Sequence, residues 1–495
     1  MKQKEHSIRY NFIMNAALNL SAVLTPFLTY PYATRVLGAE SYGKAIFASY
    51  VANWLMMFAQ LGIPTFGLRA CAACRDDEAK LKRTVRGLIT LNLVTAVVTY
   101  SIFLVLLVLV PRFRQDPMLF LVVSLPVLLN AVGGDWFFKG LEEYGYVAAR
   151  DIGCRLLSVA LLFLLVHGSG DYLLYGVTIA VGNGAPAVLN CIQMLRRLGG
   201  SRGFLTKETK VTVREAVSEY LKPVLTFFTL NVAISIYTNM DVVMLGFLST
   251  DAQVGFYAAA TRLKTVSIYI VTALGGVLLP RASHYLGEGK RESFRKLIAL
   301  NFSFVFLTAA PMVLYLLFMA DQVIYFLSGQ GFAEAILPMR LISVTILLIG
   351  LTNVMGMQIL VAGGREKETT RSTIYGACVN LVVNALLIPK LGAVGAVIGT
   401  VFAEITVFLA QVLYLRGELG QYLQGLELWK IVLANLLAVC AMAALRVGAG
   451  YGAPAPALVC FYRILATGVL FCGCYAVALV VMKERHVMEA LKRKH

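Results

Sequence analysis

A few side chains able to carry charge or bind polar groups stand inside otherwise apolar stretches of this chain: Arg262, Lys264, Asp241, Glu404 and a series of asparagines. Arg262 and Lys264 fall about nine to eleven residues into a run beginning near Gln253, roughly 14 to 17 Å along a helix. A charge that deep in an apolar run is costly and faces a cavity or a partner. Either Arg262, with Lys264 second, meets an anion there, or it pairs with Asp241 of the preceding run, or each holds in a different state. Glu404 and Asp241 are carboxyls that can take up a proton or a sodium ion; for Glu404 the other reading is a protonated or paired packing residue. Asn11, Asn15 and Asn19 recur every four residues and so share one helix face. Asn53, Asn231 and Asn239 extend this polar set, which either lines a cavity or hydrogen-bonds helix to helix.

The elements that must position these groups follow from hydropathy. With 59% hydrophobic residues and a mean hydropathy of +0.74, the chain is too apolar for a soluble protein. About fourteen apolar runs of roughly 18 to 25 residues recur along it, each sufficient to cross a hydrocarbon core of about 30 Å. The sequence therefore predicts an all-α integral membrane protein, and an even number of crossings puts both termini on one side. The net charge is +17. On this map nearly all Lys and Arg fall in the N-terminal segment, the loops after the even-numbered runs and the C-terminal tail, which makes that side cytoplasmic. Basic residues scattered over many short loops argue against nucleic acid as a partner.

Nine cysteines, mostly within or beside apolar runs, read as small packing residues. Cys71 and Cys74 have CxxC spacing but lack the further ligands a zinc site needs, so no metal is expected. No GxxxxGK[ST] phosphate loop or cofactor motif is present.

The stretch VLGAESYGKAIFAS at 36–49 returns in altered form as MLGFLSTDAQVGFYAAATRLK at 244–264. Downstream, Leu61-Gly62 corresponds to Leu274-Gly275 and Arg69-Ala70 to Arg281-Ala282. A weaker echo links RDIGCRLLSVALL (150–162) with RSTIYGACVNLVVNALL (371–387). The repeat predicts two pseudo-symmetric six-helix bundles, 1–195 and 223–416, with a basic cytoplasmic linker at 196–222. Two further helices and a basic tail occupy 417–495, and their Arg446 and Arg463 are expected to snorkel at the outer surface. A membrane glycosyltransferase or polymerase is disfavoured because the loops are short and the longest lacks a DxD.

The runs PYATRVLGAESYGKAIFA, AQLGIPTFGLRACAACRDD, GDWFFKGLEEY, LLPRASHYLGEGKRESFR and LIPKLGAVGAVIGTVFAE resemble the Wzx-type polysaccharide-biosynthesis flippases. These belong to the multidrug/oligosaccharidyl-lipid/polysaccharide exporter superfamily, whose drug exporters (MATE) share the fold. The resemblance implies a bacterial plasma-membrane protein that moves undecaprenyl-pyrophosphate-linked oligosaccharide to the outer leaflet by alternating access. It further implies membrane lipids and a polysaccharide polymerase or assembly proteins as partners. In that setting Arg262 and Lys264 become candidates to hold the pyrophosphate. Arg35 and Lys44, near the outer ends of the first two runs, either receive the headgroup or anchor the interface. Asn11, Asn15, Asn19, Asn53, Asn231 and Asn239 become candidates for sugar contact, and Glu404 and Asp241 for ion coupling. The cluster around Asp135, Trp136 and Lys139 reads as an interfacial anchor and cytoplasmic gate. A drug/cation antiporter and a lipid II flippase of the same superfamily are the alternatives.

Overall fold

A computed structural model describes residues 8–198, 211–485 and 487–488, all helix, turn and loop with no strand among them. The chain divides into two compact units, Met1–Asn239 and Met240–His495.

In the first unit α1 (Ile8–Gln60) is broken at Gly38, whose φ of 73° and ψ of 175° lie outside the helical region. This is the turn that the Leu-Gly step marks. The next break, at Leu61-Gly62, has a different cause: Pro64 lacks an N–H and its ring would strike the carbonyl of Gln60, so the helix stops and α2 (Ile63–Ala73) begins afresh. Leu61 takes a positive φ of 50° there. Then follow α3 (Glu78–Leu109), capped by the Asp77 side chain, the short α4 (Pro111–Arg114), α5 (Pro117–Gly133), α6 (Asp135–Gly140), α7 (Tyr144–Leu165) and α8 (Tyr172–Arg197). A core of Trp136, Phe137, Phe138, Leu88 and Tyr220 packs α2, α3 and α6 against the start of α9 (Val213–Leu248). Burial pushes the Cys71 thiol up, so it packs as a protonated apolar group.

The second unit contains the end of α9, α10 (Asp251–Gly287), α11 (Arg291–Ser328), α12 (Ile336–Asn353) continuing into a π-helix (Val354–Val361), α13 (Glu366–Leu391), α14 (Ala393–Tyr414), the short α15 (Leu419–Leu423), α16 (Leu428–Gly448) and α17 (Ala457–Val481). Unlike α1, α10 runs on through its Leu274-Gly275 and through Pro280 to Gly287.

Eleven helices of the described residues are long and apolar enough to cross a membrane. The 17-residue α5 is a shorter apolar helix, and the sequence expectation of about fourteen crossings is consistent with this architecture.

The last two helices, α16 and α17, dock on α11: Tyr315 Oη donates to Ile464 O at 2.8 Å and Tyr475 Oη to Leu307 O at 3.1 Å. Their arginines do not simply snorkel as expected. Arg446 pairs with Asp321 at 2.5 Å, and Arg463 donates to Gln322 Oε1 at 3.2 Å and to Ala453 O at 2.7 Å. A buried carboxylate at the end of α11 requires a cation, and this fixes the first of them.

Candidate functional site

Within the first unit a cavity of about 780 Å³ opens among α1, α2, α5, α6, α7 and α8. Its wall carries Arg69, Lys139, Arg150 and Arg155 against only Asp135 and Asp151, so positive charge is in excess. Gln60, Asn130, Asn183, Asn190 and Ser158 add hydrogen-bonding groups. These are the two kinds of group that phosphates and sugar hydroxyls require.

The four cations differ in what they are free to do. The Arg150 side chain is 3% exposed; its guanidinium binds Asp135 at 2.8 Å, Asp151 at 2.6 Å and Asn190 Oδ1. It is a strut that ties α6, α7 and α8 together. Lys139 sits 2.5 Å from the other oxygen of Asp135 and remains about a third exposed. Burial pushes the Asp135 carboxyl up, but Lys139 and Arg150 outweigh this and hold it below its usual range. Arg155 is half-buried and reaches Ser21 Oγ at 3.5 Å, while Arg69 is exposed and lies over the Phe227 ring at 5.8 Å. These two make no ion pair with the carboxylates of the wall.

The GDWFFKGLEEY stretch is therefore not only an anchor: Asp135, Trp136 and Lys139 are cavity wall, while Glu142 pairs with Arg75 at 3.3 Å outside it. Arg150, Asp151 and Arg155 were visible in the sequence only as an echo of the repeat. Two arginines and an aspartate opening an apolar run were the signal for a site.

The other candidates are placed as follows. Asn11 is half-buried, with no hydrogen-bond partner for its Oδ1 among the described residues. Asn15, Asn19 and Asn53 are exposed, and Asn231 and Asn239 half-buried. The cavity takes Ala22, Thr25 and Pro26 from α1, just beyond the asparagine stripe. Arg35 is exposed. Lys44 lies 3.8 Å from Asp116 and 3.7 Å from Glu40, above the Tyr172 ring.

In the second unit Arg262 and Lys264 are both half-buried on α10. Asp241, 6% exposed, accepts hydrogen bonds from Tyr257 Oη at 2.5 Å, Asn384 Nδ2 at 2.6 Å and Thr400 Oγ1 at 2.8 Å. Asn384 also donates to Asn380 Oδ1 at 3.1 Å, and its own Oδ1 is buried with no hydrogen-bond partner among the described residues. Glu404, 4% exposed, lies one turn beyond Thr400 on the buried face of α14. Two hydroxyls and an amide N–H thus donate to one buried carboxylate.

An apolar groove of about 640 Å³ runs between α11 and α17, from Leu307, Pro311 and Tyr315 on one side to Ile464, Gly468 and Tyr475 on the other. Gly468 leaves the room: a Cβ there would lie 3.5 Å from Tyr315 Oη.

Helical units that together hold many membrane crossings, a cation-lined polar cavity and an apolar groove define a membrane transporter of polar cargo. The chain belongs to the polysaccharide biosynthesis protein family, whose model matches residues 8–286, and with it to the multidrug/oligosaccharidyl-lipid/polysaccharide exporter superfamily. A second model, lipid II flippase MurJ, matches residues 154–454. A putative O-antigen transporter of Escherichia coli K12 is 24% identical over 84% of this chain and 99% of its own. A probable low-salt glycan biosynthesis flippase of Haloferax volcanii is 25% identical over 36% of this chain and 38% of its own. Among solved structures, the inward closed conformation of lipid II flippase MurJ is similar, with a TM-score of 0.67, 12% identity and coverage of 95% of this chain and 99% of that one. An inward-facing multidrug MATE transporter follows at 0.58 and 13%, covering 83% and 99%. These likenesses establish the fold.

Proposed function

We propose that the protein is a flippase that carries an undecaprenyl-pyrophosphate-linked oligosaccharide across the bacterial plasma membrane by alternating access, as a non-enzymatic step of polysaccharide assembly. The observation that carries this reading is the cavity of the first unit, with its excess of cations beside a set of amides. A lipid-linked sugar presents pyrophosphate, hydroxyls and an isoprenoid tail to a medium that excludes the first two. Arg155 and Arg69, with Lys139, meet the pyrophosphate; Asn130, Asn183 and Gln60 meet sugar hydroxyls; the apolar groove of the second unit accommodates tail carbons. In that unit Arg262, with Lys264, offers its own cation to the headgroup. Arg35 and Lys44 receive it at the outer surface, and the asparagines of α1, Asn53, Asn231 and Asn239 contact sugar.

Asp241, held by its donors Tyr257, Asn384 and Thr400, supplies the carboxyl for a coupling proton or sodium ion, and Glu404 a second carboxyl. Both termini are cytoplasmic, and the product passes to a polymerase or other assembly protein.

A second cargo of the same chemistry, lipid II, is favoured by the match to the MurJ model. A thermal-stability titration of the purified protein separates the readings, since a ligand that binds the folded state raises the melting temperature by mass action. Undecaprenyl-pyrophosphate oligosaccharide should stabilise the protein more than lipid II, and uncharged undecaprenol or a cationic dye should do little. Stabilisation by the dye alone would overturn the proposal in favour of an antiporter.

A further inference from the structure

The π-helix at Val354–Val361 has no role in the site described above. Its register is visible in Ala362 N–H donating to Met357 O at 3.3 Å, five residues back; the helix then ends in a Schellman cap at Gly364, with Arg365 N–H donating to Leu360 O at 2.8 Å and Gly364 N–H to Val361 O at 3.0 Å. Such segments are rare and occur frequently at functional sites.

The groups packed on it are polar, buried and incompletely satisfied. Gln358, 1% exposed, accepts a hydrogen bond from Asn301 Nδ2, and Asn301 is also 1% exposed. That leaves Gln358 Nε2 and Asn301 Oδ1 without partners among the described residues, together with the nearby Gln411 Oε1. Each unpaired buried group is costly. The π register leaves these three atoms without partners among the described residues.

The neighbouring backbone provides space for a change. A Cβ built on Gly275 would lie 2.3 Å from Gln358 Nε2 and 2.8 Å from Asn353 Oδ1. The missing side chain of Gly275 thus leaves the space into which Gln358 reaches against α10. Below the segment Gly364, at a φ of 73°, has open space around it, and Arg365 is fastened to Glu418 Oε1 at 2.9 Å and to Tyr414 O at 3.0 Å. A swivel lies between a packed helix above and a clamped end below.

We propose that Val354–Val361 is a two-register hinge that alternates between this π register and an α register, with the Asn301–Gln358 contact against Gly275 as its catch. The change removes one residue from the turn and rotates the end of the segment by about 100° relative to α12, given 3.6 residues per α-turn. In the α register Gln358 leaves Gly275. The hinge rests on the reading of the chain as an alternating-access transporter, within which it supplies a local movement of the second unit.

The test is hydrogen–deuterium exchange of the full-length protein in lipid nanodiscs without cargo, followed on peptides covering 354–365. Gly275→Ala places a methyl where Gln358 sits and should speed exchange of this segment roughly tenfold, with the middles of α11 and α13 unchanged. The double variant Asn301→Leu/Gln358→Met replaces both amides by apolar groups of similar shape and should slow exchange of this segment. Equal exchange in all three proteins means a static π-helix and overturns the hinge. Because the readout needs no cargo, that failure is distinct from a failure of the flippase reading, which the titration reports.

Discussion

Arg150 and Asp135 are joined at 2.8 Å, and the same guanidinium holds Asp151 at 2.6 Å, so the most buried cation of the cavity wall is committed to protein partners. Removing it should damage the bundle rather than cargo binding alone. Arg150→Met is expected to destabilise the protein by about 3 kcal/mol, the low end for breaking a buried pair because Asp135 is partly exposed. Arg150→Lys should recover little, since an ammonium lacks the fork. Asp135 is held below its ordinary range, so the stability it contributes is present above that range and is lost only as pH falls through the lowered value. Thermal melts from pH 6 to 8 should therefore show no change from this pair.

Arg155 and Arg69 should behave oppositely. Arg155→Gln or Arg69→Gln is expected to leave the melting temperature in place and weaken pyrophosphate-lipid binding about 10- to 100-fold, the loss of one charge-assisted hydrogen bond. For Arg262, retained activity in Lys and near-complete loss in Ala, measured by complementation at normal expression, would support an electrostatic contact. Full activity of Arg262→Ala would remove it from the site.

Asp241 is a buried carboxyl held by three uncharged donors, Tyr257, Asn384 and Thr400. Asp241→Asn should abolish acceleration of transport by an imposed proton or sodium gradient while leaving slow equilibration of the lipid. Glu404→Gln compared in the same vesicles tells whether the second carboxyl shares the task.

The groove between α11 and α17 predicts a dependence on tail length. Gly468→Leu fills the space beside Tyr315 and should raise the KM for an undecaprenyl substrate several-fold. It should leave that for a short-chain analogue unchanged. An equal effect on both substrates would mean that the side chain disturbs packing instead.

Much of the fold was legible because apolar run length reports on helices; Leu-Gly marked the breaks at Gly38 and Leu61-Gly62, but in the second copy Gly246 and Gly275 lie inside helices and the break falls at the Leu248–Asp251 step. The cavity was not. Arg69, Lys139, Arg150 and Arg155 each stand near the end of a run, where a basic residue also serves as a topology signal, and only the packing of α2, α6, α7 and α8 makes them one wall. The π-helix was equally hidden, since VMGMQILV is an unremarkable apolar stretch until Gln358 is seen against Gly275. Asp241 was found in sequence because a lone carboxylate in an apolar run has no inexpensive explanation.

The most direct test of the central claim is leaflet exposure of a fluorescent undecaprenyl-pyrophosphate oligosaccharide in liposomes containing either the wild-type protein or Arg69→Gln/Arg155→Gln. The wild type should move the lipid and leave a cationic dye in place, and the folded double variant should lose most of that movement. Dye exchange with the lipid left in place, or full lipid movement by the double variant, would contradict that claim.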